Sequence, residues 1–222
     1  MIDISRHKQI FNASTFDKRV DIVGVGAVGS KVALEVAKLG VKNLHIWDDD
    51  VVEAHNISNQ AFYKERDIGK RKVVALSEHI QQATGLIPTV HDTKVDANTE
   101  LGEVVFLLVD NMAARKEIFD GLSYTMTTEV IIEIRMGTRS GYIYTIDPND
   151  VEQIEFWQTN WYPDKEVIQP SACGSKLSIG ATSSIISGYA VWTFMDWFQV
   201  ELSKQTLLPC DVTIKEERLI YI

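Results

Sequence analysis

Short apolar runs alternate with longer amphipathic stretches along this chain, and the alternation predicts strands and helices in turn. The run Asp21, Ile22, Val23 and Val25 is short and β-branched and reads as a buried strand. Residues 27–39 carry Val28, Val32, Val36 and Leu39 at helical spacing, and Gly40 stops that helix. Residues 43–47 make a second buried strand. Asp67 is expected to cap a helix over 68–83 with Val73, Val74, Leu76 and Ile80 inward. Residues 88–90 begin a third strand, and the fully apolar run 104–109 is a central one. A helix over 111–122 and a strand over 130–136 follow, and 140–146 pairs antiparallel with its neighbour. Residues 1–12 read as a short helix, 61–67 as a loop or short turn, and 92–103 as a short helix or turn. Residues 147–176 lose the periodicity and read as a long irregular segment. Residues 178–200 form a long, mostly buried helix rich in small residues, and 210–222 a hairpin turning near Glu216 and Glu217.

A chain of 222 residues, 45% hydrophobic, is enough for one globular domain spanning 1–222. Its net charge of −9 argues against nucleic acid or an anionic membrane as the main partner. No long apolar run occupies residues 1–20, so no signal peptide is expected. The stretch 177–200 is broken by Ser, Thr, Gly and Asp196 and is too polar to span a membrane. Cys173 and Cys210 do not make a disulfide framework, and the compartment expected is a reducing cytoplasm.

Chemistry enters with Gly24, Gly26 and Gly29, spaced G-x-G-x-x-G between the first strand and its helix. Gly24 permits the tight turn, Gly26 lets backbone approach a phosphate, and Gly29 lets helix and strand pack closely. The free N–H groups and dipole of that helix make an anion site. Asp48 ends the second strand about 20 residues beyond the glycines, where a ribose-binding carboxylate belongs. Together these predict a nucleotide-binding core over 20–125; the alternative is a glycine-rich turn in an unrelated α/β protein.

Four blocks in order then resemble the ThiF/MoeB family of adenylating enzymes, which includes the ubiquitin-activating enzymes. They are Gly24/Gly26/Gly29, then Asp48/Asp50/Val52/Asn56/Gln60, then Gly69/Lys72, then Asp110/Asn111 after a strand. The resemblance covers roughly residues 5–200. It implies a Rossmann-like doubly wound, mainly parallel sheet with an antiparallel extension and C-terminal hairpin. It also implies ATP and Mg²⁺, a ubiquitin-like or sulfur-carrier partner, and a homodimer through the helix near 178–200. Gly24, Gly26, Gly29, Asp48, Asp50, Asn56, Gln60 and Lys72 would bind the nucleotide, with Asp48 on the ribose and Asn56 and Lys72 on phosphates. Asp110 would hold the metal and the reacting phosphate. Residues 147–176 would be a crossover loop, and 177–222 a helix and hairpin. The sequence departs from the family at Asn59, where an arginine is usual. The family's arginine finger, supplied across a dimer, falls near Lys8, with Arg6 the nearest arginine. The paired C-x-x-C zinc site is missing.

Each candidate also has a plainer reading. Lys72, in the first turn of a helix, could be a solvated lysine, although the dipole disfavours a cation there. Asp110 could be the N-cap of the next helix. Asp49 reads as solvated, and His7, His55 and His91 have no metal-ligand spacing. Cys173 precedes a helix, which favours thiolate and a catalytic role; the alternative is a small buried residue. Arg66 and Arg71 flank the Lys72 block and could supply the charge that Asn59 lacks. The reading favoured is ATP-dependent adenylation of a carboxylate. Its rivals are a non-catalytic partner subunit and an NAD-dependent oxidoreductase.

Overall fold

The computed structural model describes residues 2–163, 178–206 and 217–221. Seven strands form one sheet: β1 (Val20–Val23), β2 (Leu44–Trp47), β3 (Thr89–His91), β4 (Val104–Leu107), β5 (Val130–Met136), β6 (Ser140–Ile146) and β7 (Glu217–Tyr221). Their order is β3-β2-β1-β4-β5-β6-β7. The first five run parallel, while β6 and β7 are antiparallel to their neighbours. This is a Rossmann-like doubly wound sheet with an antiparallel extension, and its strand order reverses between β1 and β4.

Successive strand residues serve opposite faces. Val104 and Phe106 of β4 join one core, Val105 and Leu107 the other, so the whole run must be apolar. The first core is covered by α1 (Gly29–Lys38), α3 (Lys72–Thr84) and α6 (Gly180–Thr206) through Val32, Val36, Leu76, Ile80, Ile186 and Phe194. The second is covered by α4 (Met112–Leu122) and α5 (Val151–Thr159), where Phe119 stacks on Trp157 at 3.8 Å. Burying such a side chain contributes roughly 1.5–3 kcal/mol. One short turn of helix, α2 (Lys64–Asp67), completes the list among the described residues.

Several expectations are corrected. Residues 5–10 are a series of turns rather than a helix; Phe11 is anchored instead by Phe194 and Phe198 at 5.3 and 5.2 Å. Asp67 does not cap α3. It is buried, accepts from the Tyr63 N–H at 2.6 Å and lies 2.7 Å from His79 Nε2. Gly69, at φ +88°, separates α2 from α3, which starts at Lys72. Val74 is exposed because it falls off the stripe set by Val73, Leu76 and Ile80. Part of the stretch taken as irregular, 147–176, is the helix α5, whose N-cap Asp150 accepts from the N–H groups of Glu152 and Gln153. Its apolar residues Ile154 and Trp157 sit at i and i+3, a pattern too short to stand out. The expected C-terminal hairpin is represented by β7, which pairs with β6; its other arm lies outside the described residues.

Candidate functional site

β1 leads into the glycine loop, and the loop into α1. Gly24 has φ +91°, a backbone that disfavours any side chain, and a Cβ there would press on the Leu108–Val109 peptide. A Cβ on Gly29 would overlap the Gly24 carbonyl. Gly26 is different: a Cβ would meet nothing within 4 Å, so space lies open above its backbone. The approach of the loop to the end of β4 thus needs Gly24, the approach of α1 to the loop needs Gly29, and the open face of Gly26 suits a ligand.

Asp48, at the carboxyl end of β2, closes on this loop. Its Oδ2 accepts from the Val25 N–H at 2.8 Å and its Oδ1 from the Asp50 N–H at 2.9 Å. Burial pushes its carboxyl above the ordinary 3.8, against the pull of Lys72 and the two N–H groups. Asp50, Val51 and Val52 then run antiparallel to 69–72. Lys72 N–H donates to the Asp50 carbonyl at 2.9 Å, Gly69 N–H to that of Val52 at 2.8 Å, and Val51 bridges to Arg71. That pairing fixes Lys72 in the site. Its Nζ is 2.7 Å from Asp50 Oδ2 and 3.9 Å from Asp48 Oδ1, with the side chain nearly buried. A buried ammonium needs such partners.

A cleft of about 770 Å³ lies over the β1/β4 reversal, within the size range of nucleotide-scale pockets. Gly24, Gly26, Asp48, Asp50, Asn56, Gln60, Lys72 and Asp110 all line it. Gly29 stands behind the loop. Asp110 is exposed just beyond β4. It is not the helix cap: Asn111 is, its side chain accepting from the Ala114 N–H at 2.9 Å. Asn56 is buried and its Oδ1 accepts from the Glu53 N–H at 2.9 Å, which holds the 3₁₀ turn Ala54–Ser58. Among the described residues the side-chain oxygens of Asn59 and Gln60 are buried without a hydrogen-bond partner, and both residues line the cleft. Asp48, Asp49 and Asp50 offer carboxylate oxygens within 4.8 Å of one another.

Other expected residues are not brought here. Lys8 is exposed, next to His7, whose ring contacts the Leu39 carbonyl at the far end of α1. Cys173 lies outside the described residues. Arg66 and Arg71 are not among the residues that line the cleft: Arg71 Nε binds both oxygens of Asp92, and Arg66 binds Gln82 and approaches Glu78. Sequence reading missed Arg115 and Glu133. Arg115 lines the cleft, pairs with fully buried Glu133 and donates to the Leu107 carbonyl. Glu133 also takes Arg135 at 2.9 Å and the Trp157 indole at 3.2 Å. The available signal was Glu133 and Arg135 standing inside an otherwise apolar strand.

A family model described as the ThiF family matches residues 11–212. The chain belongs to the ThiF family. Adenylyltransferase and sulfurtransferase MOCS3 of Caenorhabditis briggsae is 31% identical over 105 residues, 45% of this chain and 26% of that protein. NEDD8-activating enzyme E1 catalytic subunit of Dictyostelium discoideum is 25% identical over 121 residues, 52% of this chain and 27% of that protein. The ThiF-family chain thus spans about a quarter of the length of these curated relatives. E. coli tRNA N6-threonylcarbamoyladenosine dehydratase, TcdA, superposes with a TM-score of 0.70 at 15% identity, covering 91% of this chain and 96% of that one. E. coli MccB, crystallised with AMPCPP and MccA, superposes at 0.65 and 13% identity, covering 82% and 55%. At such identities the solved structures bear on the fold alone. Among the described residues no helix is long and apolar enough to cross a membrane.

Proposed function

We propose that this chain catalyses ATP-dependent adenylation of a carboxylate, most directly the C-terminal carboxylate of a ubiquitin-like or sulfur-carrier protein. The observation that carries the reading is the convergence of the glycine loop, Asp48, Lys72 and Asp110 on one cleft at the β1/β4 reversal. Asp48 has lone pairs left to accept from ribose hydroxyls. The loop N–H groups and the start of α1 face the phosphates. Lys72 exchanges its Asp50 partner for phosphate oxygen. The acyl carboxylate oxygen forms a bond to the α-phosphorus. The bond to the bridging oxygen breaks, and its electron pair leaves with pyrophosphate, so no proton moves. The chain's contribution is positioning and charge neutralisation. Asp110, exposed and free of the capping role, would hold Mg²⁺, which when bound neutralises phosphate charge. The names of the MOCS3 and NEDD8-activating relatives support the same class of chemistry and partner.

A homodimer belongs to this proposal. Ile185, Tyr189 and Trp192 recur at i, i+4 and i+7 on α6 and are exposed, an apolar stripe suited to a second copy. Lys8, far from the cleft of its own protomer, would then approach the partner's. The test is ATP–pyrophosphate exchange with candidate carrier proteins. Carrier-dependent exchange that Asp110→Ala abolishes is expected. ATP binding without exchange would favour the second reading, a non-catalytic partner subunit. Asn59 favours that reading, since it leaves the cleft without the family's charge. Exchange appearing only in Asn59→Arg would decide for it.

A further inference from the structure

Cations around the cleft have acids beside them. Lys72 has Asp50 and Asp48, Lys94 has Asp49 at 3.8 Å, and Arg115 has Glu133. Lys31 does not. It follows Ala27 and Val28, which line the cleft, by one turn of α1. Its ammonium donates to the Gly180 carbonyl at 2.9 Å and to the Ser183 hydroxyl, both neutral oxygens. Among the described residues no carboxylate forms an ion pair with it. Burial disfavours its charged form. The place makes this worse: Gly180 opens α6, whose dipole is positive at that end, and the positive end of α1 is close by.

This crowding is built in. Gly180 lets the chain approach so closely that a Cβ would lie 2.7 Å from the Ser58 carbonyl. The Ser183 hydroxyl, fully buried, reaches the Asn59 carbonyl at 3.2 Å. Lys31, Ser183 and Asn59 therefore form one chain of contacts running from α1 through α6 to the cleft wall. The wall itself carries the buried, unpartnered amide oxygens of Asn59 and Gln60. Such amides present N–H groups instead when turned by half a revolution. Two helix starts and an ammonium without an acid lie behind the cleft wall, the wall carries the unsatisfied amides, and an anion would relieve this electrostatic arrangement.

We propose that Lys31 is a polyphosphate-binding residue: with the start of α6 it takes the pyrophosphate portion of the nucleotide, the part that leaves. It supplies from α1 the charge that Asn59 does not supply from the cleft wall. This rests on the adenylation reading above. It differs from that reading in separating the phosphate tail from the nucleoside.

The test is calorimetric binding of AMP, ATP and inorganic pyrophosphate to the intact protein. Wild type is compared with Lys31→Gln, which keeps a donor but loses the charge, and with Lys31→Arg, which keeps the charge. Thermal unfolding checks that each is folded. Loss of one charged hydrogen bond should weaken ATP and pyrophosphate about tenfold or more in Lys31→Gln. AMP should be unchanged, and Lys31→Arg should retain most of the affinity. Equal weakening of ATP and AMP would mean that Lys31 only packs α6, and would overturn the proposal, as would unchanged ATP affinity. If wild type binds no nucleotide, the adenylation reading fails separately, and pyrophosphate alone decides. Pyrophosphate binding lost in Lys31→Gln upholds the subsite; no binding to wild type ends it. If Lys31→Gln does not fold, Lys31→Arg and Ser183→Ala carry the comparison. Ser183→Ala frees the ammonium of one contact, so its ATP-to-AMP preference should not fall; a fall counts against Lys31.

Discussion

At the residue scale, three side chains separate ligand chemistry from fold chemistry. Asp48 is ionised at a cost, because burial raises its carboxyl above 3.8. The sign follows from proton linkage. A group whose folded value is raised contributes stability below its unfolded value and loses that contribution as pH rises through the folded value. Asp48→Asn removes this dependence. The variant's stability relative to wild type should therefore improve from about pH 3 to pH 7 in denaturant titrations, while nucleotide binding weakens for want of the charged ribose acceptor. Asp110 and Asn111 make a second contrast. Asn111 caps α4, so Asn111→Ala should cost about 1 kcal/mol of unfolding free energy. Asp110→Ala should leave the melting temperature unchanged and abolish pyrophosphate exchange. A large melting shift in Asp110→Ala would mean that it is structural after all.

At the element scale, the Gly24–Gly29 turn and the β5–α4 contact decide whether the cleft has walls. Gly29→Ala puts a Cβ onto the Gly24 carbonyl, so α1 must move away from β1. Both melting temperature and nucleotide affinity should fall; a variant that keeps both would show that the loop can relax. Glu133 is fully buried and serves two arginines and an indole. Glu133→Ala leaves Arg115 and Arg135 without their counter-charge and should cost about 3–5 kcal/mol. Chemical denaturation measures it. Periodicity made α1, α3 and α4 legible, because each lays a recurrent apolar face on the sheet. It missed α5, whose inward face is only two residues, and misplaced the start of α3, because Gly69 sets the chain direction there.

At the scale of the whole molecule, the seven-stranded sheet brings the glycine loop, the 47–60 stretch, Lys72 and the 108–118 stretch together around one cleft. A ligand held by all of them should stabilise the fold as a unit. ATP with Mg²⁺ at about 100 times its dissociation constant should add about 2.7 kcal/mol, and NAD at the same concentration should add much less. Differential scanning calorimetry with the two nucleotides distinguishes them, and a preference for NAD would remove the adenylation proposal.

The sequence by itself determined the doubly wound class and eight candidate site residues that line the cleft. Glycine spacing, an acid at a strand end and a lysine opening a helix are local patterns, and local patterns survive without coordinates. It could also show that Asn59 lacks a charge. What it could not show is which side chains already have partners. Arg66 and Arg71 stand near Lys72 in the chain, yet their acids are Glu78 and Asp92, and neither arginine lines the cleft. Lys31, 28 positions before Asn59 in the chain, is linked to its carbonyl through Ser183 only because α1 and α6 pack together. Charge pairing depends on distances of a few ångströms between elements far apart in sequence, and only tertiary structure sets those distances.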